Sequence, residues 1–166
     1  QDRMGVKHSI RLTFLGAEDE SGRKWRADIS HPGAYRRIRL GDPDVTHQGL
    51  KVFKITYRVE RILQSFPDHD ELCWNVTGNS WSVPIRHTSA RIQLPKPVPP
   101  GKLLTAAYTG SYGSRENDTQ IVFDGTDALH YAVTLSLSPL EGLTIVIGWP
   151  PGLVSMPTPA QKIGWF

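Results

Sequence analysis

Regular alternation of apolar and polar residues is the feature that most constrains the fold of this chain. It describes β-strands that have one face in a core and the other face in water. Such runs lie at residues 10–14, 53–60, 90–94 and 129–138. A shorter run at residues 37–40 and an apolar run at residues 143–147 predict two more strands, the second buried on both faces.

Turn residues separate these runs, and no convincing helical period competes with them. The chain contains 15 glycines and 13 prolines, which give it many corners. The best helical candidate, residues 159–166, is too short to be stable alone. We therefore predict an all-β protein, a two-layer antiparallel β-sandwich with immunoglobulin-like features. One domain would span residues 1–158 and would hide Phe14, Ile55 and Val133 between its layers.

Composition favours one globular domain without a nucleic-acid partner. The 166 residues are 39% hydrophobic, which is enough for a single core. The formal charge is +3, but the basic residues are spread along the chain instead of being gathered on one face. The lone cysteine, Cys73, excludes an internal disulfide, and we predict that it is a buried packing residue.

Motifs of common active sites are absent from the sequence. No G-x-S-x-G elbow, Walker loop or H-E-x-x-H motif occurs. Residues 42–53 begin like a calcium-binding EF-hand loop, but His47 replaces its glycine and Phe53 replaces its final glutamate. We therefore predict a turn at residues 42–44.

Polar and aromatic side chains are concentrated in residues 68–81, which contain three acids, one histidine, two tryptophans and two asparagines. The carboxylates of Asp68, Asp70 and Glu71 could bind Ca²⁺ through hard oxygen ligands, and no other cofactor is expected. Two of the same carboxylates, with His69, could instead act as the acid and base of a hydrolase.

A further interpretation of this segment is a non-catalytic binding site. Trp74 and Trp81 could form an aromatic platform for a sugar or a peptide, with hydrogen bonds from nearby polar side chains. No residue is assigned as catalytic. The candidate binding residues are Asp68, His69, Asp70, Glu71, Trp74, Asn75, Asn79, Trp81 and Arg86.

The same residues also fit an ordinary strand between two turns. From residue 71 onward two faces alternate, with Leu72, Trp74 and Val76 on one face and Cys73, Asn75 and Thr77 on the other. This pattern predicts that Trp74 is a core residue, as tryptophans often are in β-sandwiches. Residues 68–70 and 77–80 would then be turns.

Six short motifs lie along nearly the whole chain in the order in which a known family has them. They are G-D-P-D-V at 41–45, D-H-D-E-L at 68–72, W-N-V-T-G-N at 74–79, Y-T-G at 108–110, L-E-G-L-T at 140–144 and G-W-P at 148–150. With these motifs the chain resembles the YciQ-like family of uncharacterised bacterial predicted membrane proteins. No catalytic residues are established for that family, so the resemblance transfers none.

The resemblance implies a location and a topology. Members of the family typically have a signal sequence, this β-rich domain outside the cytoplasmic membrane, and then transmembrane helices. Residues 159–166 would be the juxtamembrane tail, with Trp165 near the lipid interface. From the resemblance we expect that the first strand pair usual in the family is missing here, either because the sequence is a trimmed piece or because this member begins late. Cys73 stands where the family usually has an aromatic residue.

The sequence thus predicts the extracytoplasmic domain of a membrane-anchored bacterial protein. We expect a non-catalytic binding or scaffolding module at the cell envelope, whose partner is an envelope protein, peptide or glycan. The membrane would be reached through segments outside this chain. The alternatives are an envelope hydrolase that uses the carboxylates of residues 68–71, and a mechanical spacer without a ligand.

Overall fold

The structure, a computed structural model, describes residues 10–33, 36–125 and 127–158. These residues form eleven β-strands, paired antiparallel, and one short 3-10 helix. The predicted all-β class is therefore confirmed. The chain divides into two compact units, a small unit that ends at Arg61 and a large unit that begins at Ile62. The single domain proposed for residues 1–158 stays a prediction, and the tail at residues 159–166 lies outside the described residues.

The small unit contains a pair of two-stranded antiparallel sheets. In one of them β1 (Arg11–Glu18) pairs with β4 (Lys54–Glu60), and in the other β2 (Ala27–Ser30) pairs with β3 (Arg37–Leu40). The strands predicted around residues 10–14, 37–40 and 53–60 are therefore confirmed.

The turn after β3 also agrees with the prediction. The amide of Asp44 donates to Asp42 Oδ1 at 3.0 Å, and Arg26 Nη1 donates to Asp42 Oδ2 at 2.9 Å. The first of these hydrogen bonds is the main reason that the pKa of Asp42 lies below its ordinary value. The Asp42 side chain therefore stabilises a turn in the place where an EF-hand loop would use it for calcium.

Strand β4 departs from the expected burial. Its alternation predicts one buried face, yet Ile55 is 43% exposed and Tyr57 is 40% exposed. The prediction that Ile55 is hidden is therefore wrong, whereas Phe14 is half-buried. Alternation shows which side chains share a face of a strand, but burial also needs a second layer, and a two-stranded sheet does not supply one.

The large unit contains the other seven strands and the 3-10 helix, Pro100–Lys102. Its strands are β5 (Gln64–Ser65), β6 (Asp70–Asn75), β7 (Ser89–Gln93), β8 (Leu104–Gly110), β9 (Thr119–Asp124), β10 (Ala128–Val133) and β11 (Gly142–Trp149). A four-stranded sheet has the order β5-β6-β11-β8, and a three-stranded sheet has the order β7-β10-β9. The strands predicted at residues 90–94 and 143–147 correspond to β7 and β11.

The core of the large unit lies between these two sheets. Leu129 and Tyr131 of β10 form one cluster with Leu143 and Ile147 of β11, and all four are almost completely buried. The Tyr131 hydroxyl donates to the backbone oxygen of Val146 at 3.0 Å, which ties one sheet to the other. Burial raises the pKa of Tyr131 to about 12. The predicted sandwich architecture is thus confirmed, while its immunoglobulin-like features stay a prediction.

The strand predicted at residues 129–138 is shorter than its alternation indicates. Strand β10 ends at Val133, which is half-buried against the core as expected. Beyond it Leu135 is 62% exposed, while Leu137 is buried and forms an isolated bridge with Ile85. The alternating pattern continues beyond the end of β10 because a loop residue such as Leu137 can also turn its side chain toward the core.

Candidate functional site

Strand β6 carries the centre of the 68–81 segment and separates its residues into two faces. Leu72 and Trp74 are half-buried and pack against the core, and Val76 just beyond the strand does the same. Cys73 and Asn75 point the other way and are exposed. The predicted strand, with Trp74 on its inner side, is therefore confirmed.

Asp68 and His69 lie in the turn between β5 and β6, which the amide of Phe66 closes by donating to the His69 oxygen at 2.8 Å. His69 Nδ1 lies 2.8 Å from Asp68 Oδ1, and His69 Nε2 lies 3.6 Å from Glu71 Oε2. The ring also stacks on Phe66 with 4.6 Å between the centroids. The imidazole is therefore held between two carboxylates.

These carboxylates make His69 more basic. Its pKa is raised above the ordinary 6.5, first by the hydrogen bond with Asp68 and further by Glu71. The same hydrogen bond lowers the pKa of Asp68. Because the carboxylates stabilise the imidazolium, the group fits an ion-paired turn better than a general base that must stay neutral at neutral pH.

Asp70 is separated from the other two acids. It is only 1% exposed, and one of its oxygens accepts a hydrogen bond from Ser65 Oγ at 2.7 Å. Since neighbours on a strand point to opposite faces, Asp70 lies on the inner side of β6 and Glu71 on the outer side. Within the described parts of the chain, no group of three or more His, Cys, Asp or Glu side chains could hold a metal ion. Calcium binding by this segment stays a prediction.

The two asparagines of the segment hold the turn that follows β6. Asn75 Oδ1 accepts from the amide of Gly78 at 2.8 Å, and Asn75 Nδ2 donates to Asn79 Oδ1. Asn79 Nδ2 in turn donates to the backbone oxygen of Gly110 at 3.0 Å. This chain of hydrogen bonds links the turn at residues 77–80 to the end of β8.

The remaining candidates lie apart from one another. Trp81 is 55% exposed, and its Nε1 donates to the backbone oxygen of Thr77 at 2.8 Å. Trp74 faces the core, so the two tryptophans do not share one exposed surface. Arg86 is exposed, and its backbone oxygen accepts a long hydrogen bond of 3.5 Å from Ser136 Oγ.

A groove of about 320 Å³ opens on the outer face of the four-stranded sheet. Its floor is formed by residues of β6, β11 and β8, namely Cys73, Asn75, Gly142, Thr144, Tyr108 and Thr109. Its wall is formed by Asn79 and by the loop that follows β8, residues 110–114. The strand register places Asn75, Thr144 and Tyr108 in one row across the floor.

Two glycines allow the wall of the groove to approach its floor. A Cβ on Gly142 would lie 2.6 Å from the Gly78 oxygen and 2.9 Å from Asn79 Nδ2. Gly110 has φ +104°, and a Cβ there would lie 2.9 Å from Ser114 Oγ. The asparagine turn and the 110–114 loop can therefore reach these positions only because both residues lack a side chain.

Cys73 lies in the floor of the groove and is exposed. The prediction of a buried packing residue is wrong, because position 73 falls on the outer face of β6. Partial desolvation, and to a smaller extent the Glu71 carboxylate, raise the pKa of the thiol. Cys73 therefore stays protonated at neutral pH and is a poor nucleophile.

The groove gathers residues that the sequence-based list of candidates did not contain. Of that list only Asn75 and Asn79 line it, while Tyr108, Ser111, Tyr112 and Thr144 are additions. The signals in the sequence were the Y-T-G motif at 108–110 and the L-E-G-L-T motif at 140–144, which place Tyr108, Gly110, Gly142 and Thr144 in family-like segments. The pairing of β11 with both β6 and β8 brings these distant segments together.

Comparison with known proteins gives one match. The family model described as "Predicted membrane protein (DUF2207) N-terminal domain" matches residues 4–149. No curated protein and no solved structure matches the chain. Among the residues that the structure describes, no helix is long and apolar enough to cross a membrane.

Proposed function

Because the chain belongs to the DUF2207 family of predicted membrane proteins, we propose that it is a membrane-tethered binding module outside the cytoplasmic membrane. The groove on the outer face of the four-stranded sheet would be its binding surface. The ligand would be a component of the cell envelope, and the tether would be supplied by segments outside this chain.

The observation that carries this proposal is the composition and support of the groove. Tyrosine, serine, asparagine and glycine dominate its lining. Binding surfaces that recognise varied ligands are rich in these residues, because tyrosine offers a large rigid contact and the others offer hydrogen bonds. Asn75 and Asn79 are already fixed by hydrogen bonds to the surrounding turns. A ligand therefore has less side-chain freedom to remove when it binds.

The groove supports binding better than catalysis. Its lining contains no histidine and no acidic residue, and the carboxylate nearest in effect to the Cys73 thiol, that of Glu71, is engaged by His69 at 3.6 Å. Glu71 on the outer face of β6 and His69 in the turn before that strand contact each other but do not line the groove. The alternative of a hydrolase would have to use these two with Asp68, and there the ion pairs favour the protonated imidazole.

Cys73 offers a test of the location. We expect a membrane-impermeant maleimide to label the full-length protein in intact cells at Cys73, because the thiol is exposed and would face the outside. The Cys73→Ser variant is the matched control for labelling elsewhere. Labelling of Cys73 that occurs only after the cells are lysed would place the domain in the cytoplasm and would contradict the proposal.

A second experiment tests the binding surface. The ¹⁵N-labelled chain is titrated with glycan and peptide fractions of the envelope, and amide chemical shifts are followed. We expect changes at Tyr108, Ser111 and Thr144, and none in the Val122 region of the opposite sheet. Binding that perturbs only residues outside the groove, or no perturbation by any fraction, would refute the groove as the binding surface.

A further inference from the structure

We infer that the ligand of the groove is a neutral saccharide, an inference that rests on the proposed function. None of the residues that line the groove carries a charge. The two carboxylates near it each have a cationic neighbour: Glu71, which acts on the Cys73 thiol, lies 3.6 Å from His69, and Glu116 follows the exposed Arg115 in the chain.

This electrostatic setting disfavours anions. Phosphates, nucleotides and acidic sugars are recognised through arginine or lysine side chains, or through clustered backbone amides at a helix N-terminus or in a turn. The lining has no arginine or lysine, no helix follows the floor strands among the described residues, and the amide of Ser114 in the 110–114 loop already donates to the Ser111 oxygen. The ligand that fits is therefore uncharged.

The groove offers side-chain donors and acceptors that suit a ligand rich in hydroxyl groups. Tyr108, Tyr112, Ser111 and Thr144 offer hydroxyls that both donate and accept. Each amide group of the two asparagines has two N–H bonds, and the turn uses one of them in each residue. Among the described residues the second N–H of each has no recorded acceptor. Sugar hydroxyls, which also donate and accept, suit this mixture.

The aromatic rings provide the apolar part of the recognition. Tyr112 is 95% exposed and Tyr108 is 40% exposed, so both present ring surface to solvent. A sugar ring has a face of C–H groups that can lie against such a ring, while its hydroxyls reach the polar groups around it. The volume of about 320 Å³ is at the lower end of ligand pockets, which suits one or two sugar rings.

An extended peptide fits the groove less well. Peptides that bind to sheets usually add a strand at an edge, where backbone groups are unpaired. The floor of the groove is centred on β11, which is paired with β6 on one side and with β8 on the other. The backbone groups of β11 are therefore committed to the sheet. Strand β8 is an edge strand, but its end beside the groove is bridged by Thr109 to Glu116, so recognition here comes from side chains.

The test uses the 166-residue chain and isothermal titration with three sets of probes. These are neutral hexose and N-acetylhexosamine di- and trisaccharides, the corresponding uronic acid oligomers, and uncharged peptides of similar size. We expect the neutral set to contain binders and the uronic acids to bind at least about tenfold more weakly. Replacement of either tyrosine, as Tyr108→Ala or Tyr112→Ala, should weaken saccharide binding about tenfold, the effect of losing one aromatic contact.

Val122→Ala is the matched control, because Val122 is 58% exposed on β9 of the other sheet, and it should leave affinity unchanged. Binding of peptides or of uronic acids in the groove, without binding of neutral sugars, would overturn the saccharide assignment and leave the proposed function standing. If no probe binds and envelope fractions also leave the groove amides unperturbed, both proposals fail.

Discussion

The two faces of the β6-β11-β8 sheet differ in polarity and in exposure to solvent, although the same strands build both. The inner face presents Leu72, Leu143, Ile145 and Ile147, which belong to or pack against the hydrophobic core. The outer face presents Cys73, Asn75, Tyr108 and Thr144, which line an open groove. Since alternate side chains of a strand point in opposite directions, the inner face can hold the fold together while the outer face is available for recognition.

The comparison predicts that inner-face substitutions cost the most stability. Ile147 is completely buried, so Ile147→Ala should lower the free energy of unfolding by about 2–5 kcal/mol through lost burial and a cavity. Thr144→Ala, on the outer face of the same strand, should cost about 1 kcal/mol or less. Urea unfolding followed by tryptophan fluorescence measures both. Equal losses would show that the two faces do not divide their roles in this way.

Asp70 is the one acidic residue on the inner face, and the contribution of its hydrogen bond with Ser65 to stability can be measured. Its carboxyl group receives a single hydrogen bond from Ser65 Oγ, and its Oδ2 atom has no hydrogen-bond partner among the described residues. Ser65→Ala should therefore cost about 1–3 kcal/mol, as expected when a buried polar group loses its hydrogen bond.

A double-mutant cycle with Asp70→Asn provides the control for Ser65. Ser65→Ala should cost clearly less in the Asp70→Asn background, because the hydrogen bond from Ser65 to the Asp70 carboxyl group is already lost there. A cost that is the same in both backgrounds would mean that the effect of Ser65 does not pass through Asp70.

Gly142 connects the two faces, because it lies in the sheet and supports the groove. Gly142→Ala brings a methyl group to within 2.6 Å of the Gly78 oxygen, so we expect a loss of stability of about 1–3 kcal/mol. It should also displace Asn79 and weaken binding in the groove. Gly101→Ala is the matched control, because a Cβ there meets nothing within 4 Å and Gly101 does not line the groove. If both variants bind like the wild type, the close approach at Gly142 is not needed for the groove.

The pH dependence of stability tests the ion pairs at the rim of the outer face. The pKa of His69 is raised in the folded state, so its contribution is fully present below about 6.5 and is lost as pH rises through the raised value. The stability difference between the wild type and His69→Gln should therefore be larger at about pH 5.5 than at about pH 8.5. Urea midpoints at the two pH values measure it, and a larger difference at the higher pH would contradict the assignment.

The smallest effect on stability is expected at the most exposed part of the groove. Tyr112 is 95% exposed, so Tyr112→Ala should change the free energy of unfolding by no more than about 0.5 kcal/mol. The same variant is expected to lose ligand affinity. A large loss of stability would mean that Tyr112 supports the loop instead of serving a ligand.

The inner face could be predicted from the sequence more fully than the outer face. Alternation identified Leu72 and Trp74 as core residues, and the apolar run at residues 143–147 identified β11. Local periodicity is enough for such assignments, because it shows which side chains share a face. It failed for Ile55, where the depth of burial depends on whether another layer covers that face. Alternation placed Cys73 correctly opposite Trp74, and the wrong prediction of its burial came from the usual behaviour of free cysteines.

The groove could not be predicted because it depends on strand pairing. Asn75, Tyr108 and Thr144 are far apart in the sequence and meet only because β11 lies between β6 and β8. The density of polar residues at 68–81 drew attention to the correct strand but also to Asp70 and Trp74, which face inward. The family match fixes a class of membrane protein, and it does not indicate which face is used.

The rate at which Cys73 is alkylated tests the central claim most directly, because Cys73 is the chain's single cysteine and lies in the floor of the groove. The reaction with a maleimide is followed with and without a saturating amount of an envelope fraction that binds the chain. Occupation of the outer face should slow alkylation of the folded protein and leave the rate of the urea-unfolded protein unchanged. Binding that leaves the alkylation rate of the folded protein unaltered would show that the ligand sits elsewhere and would contradict the account.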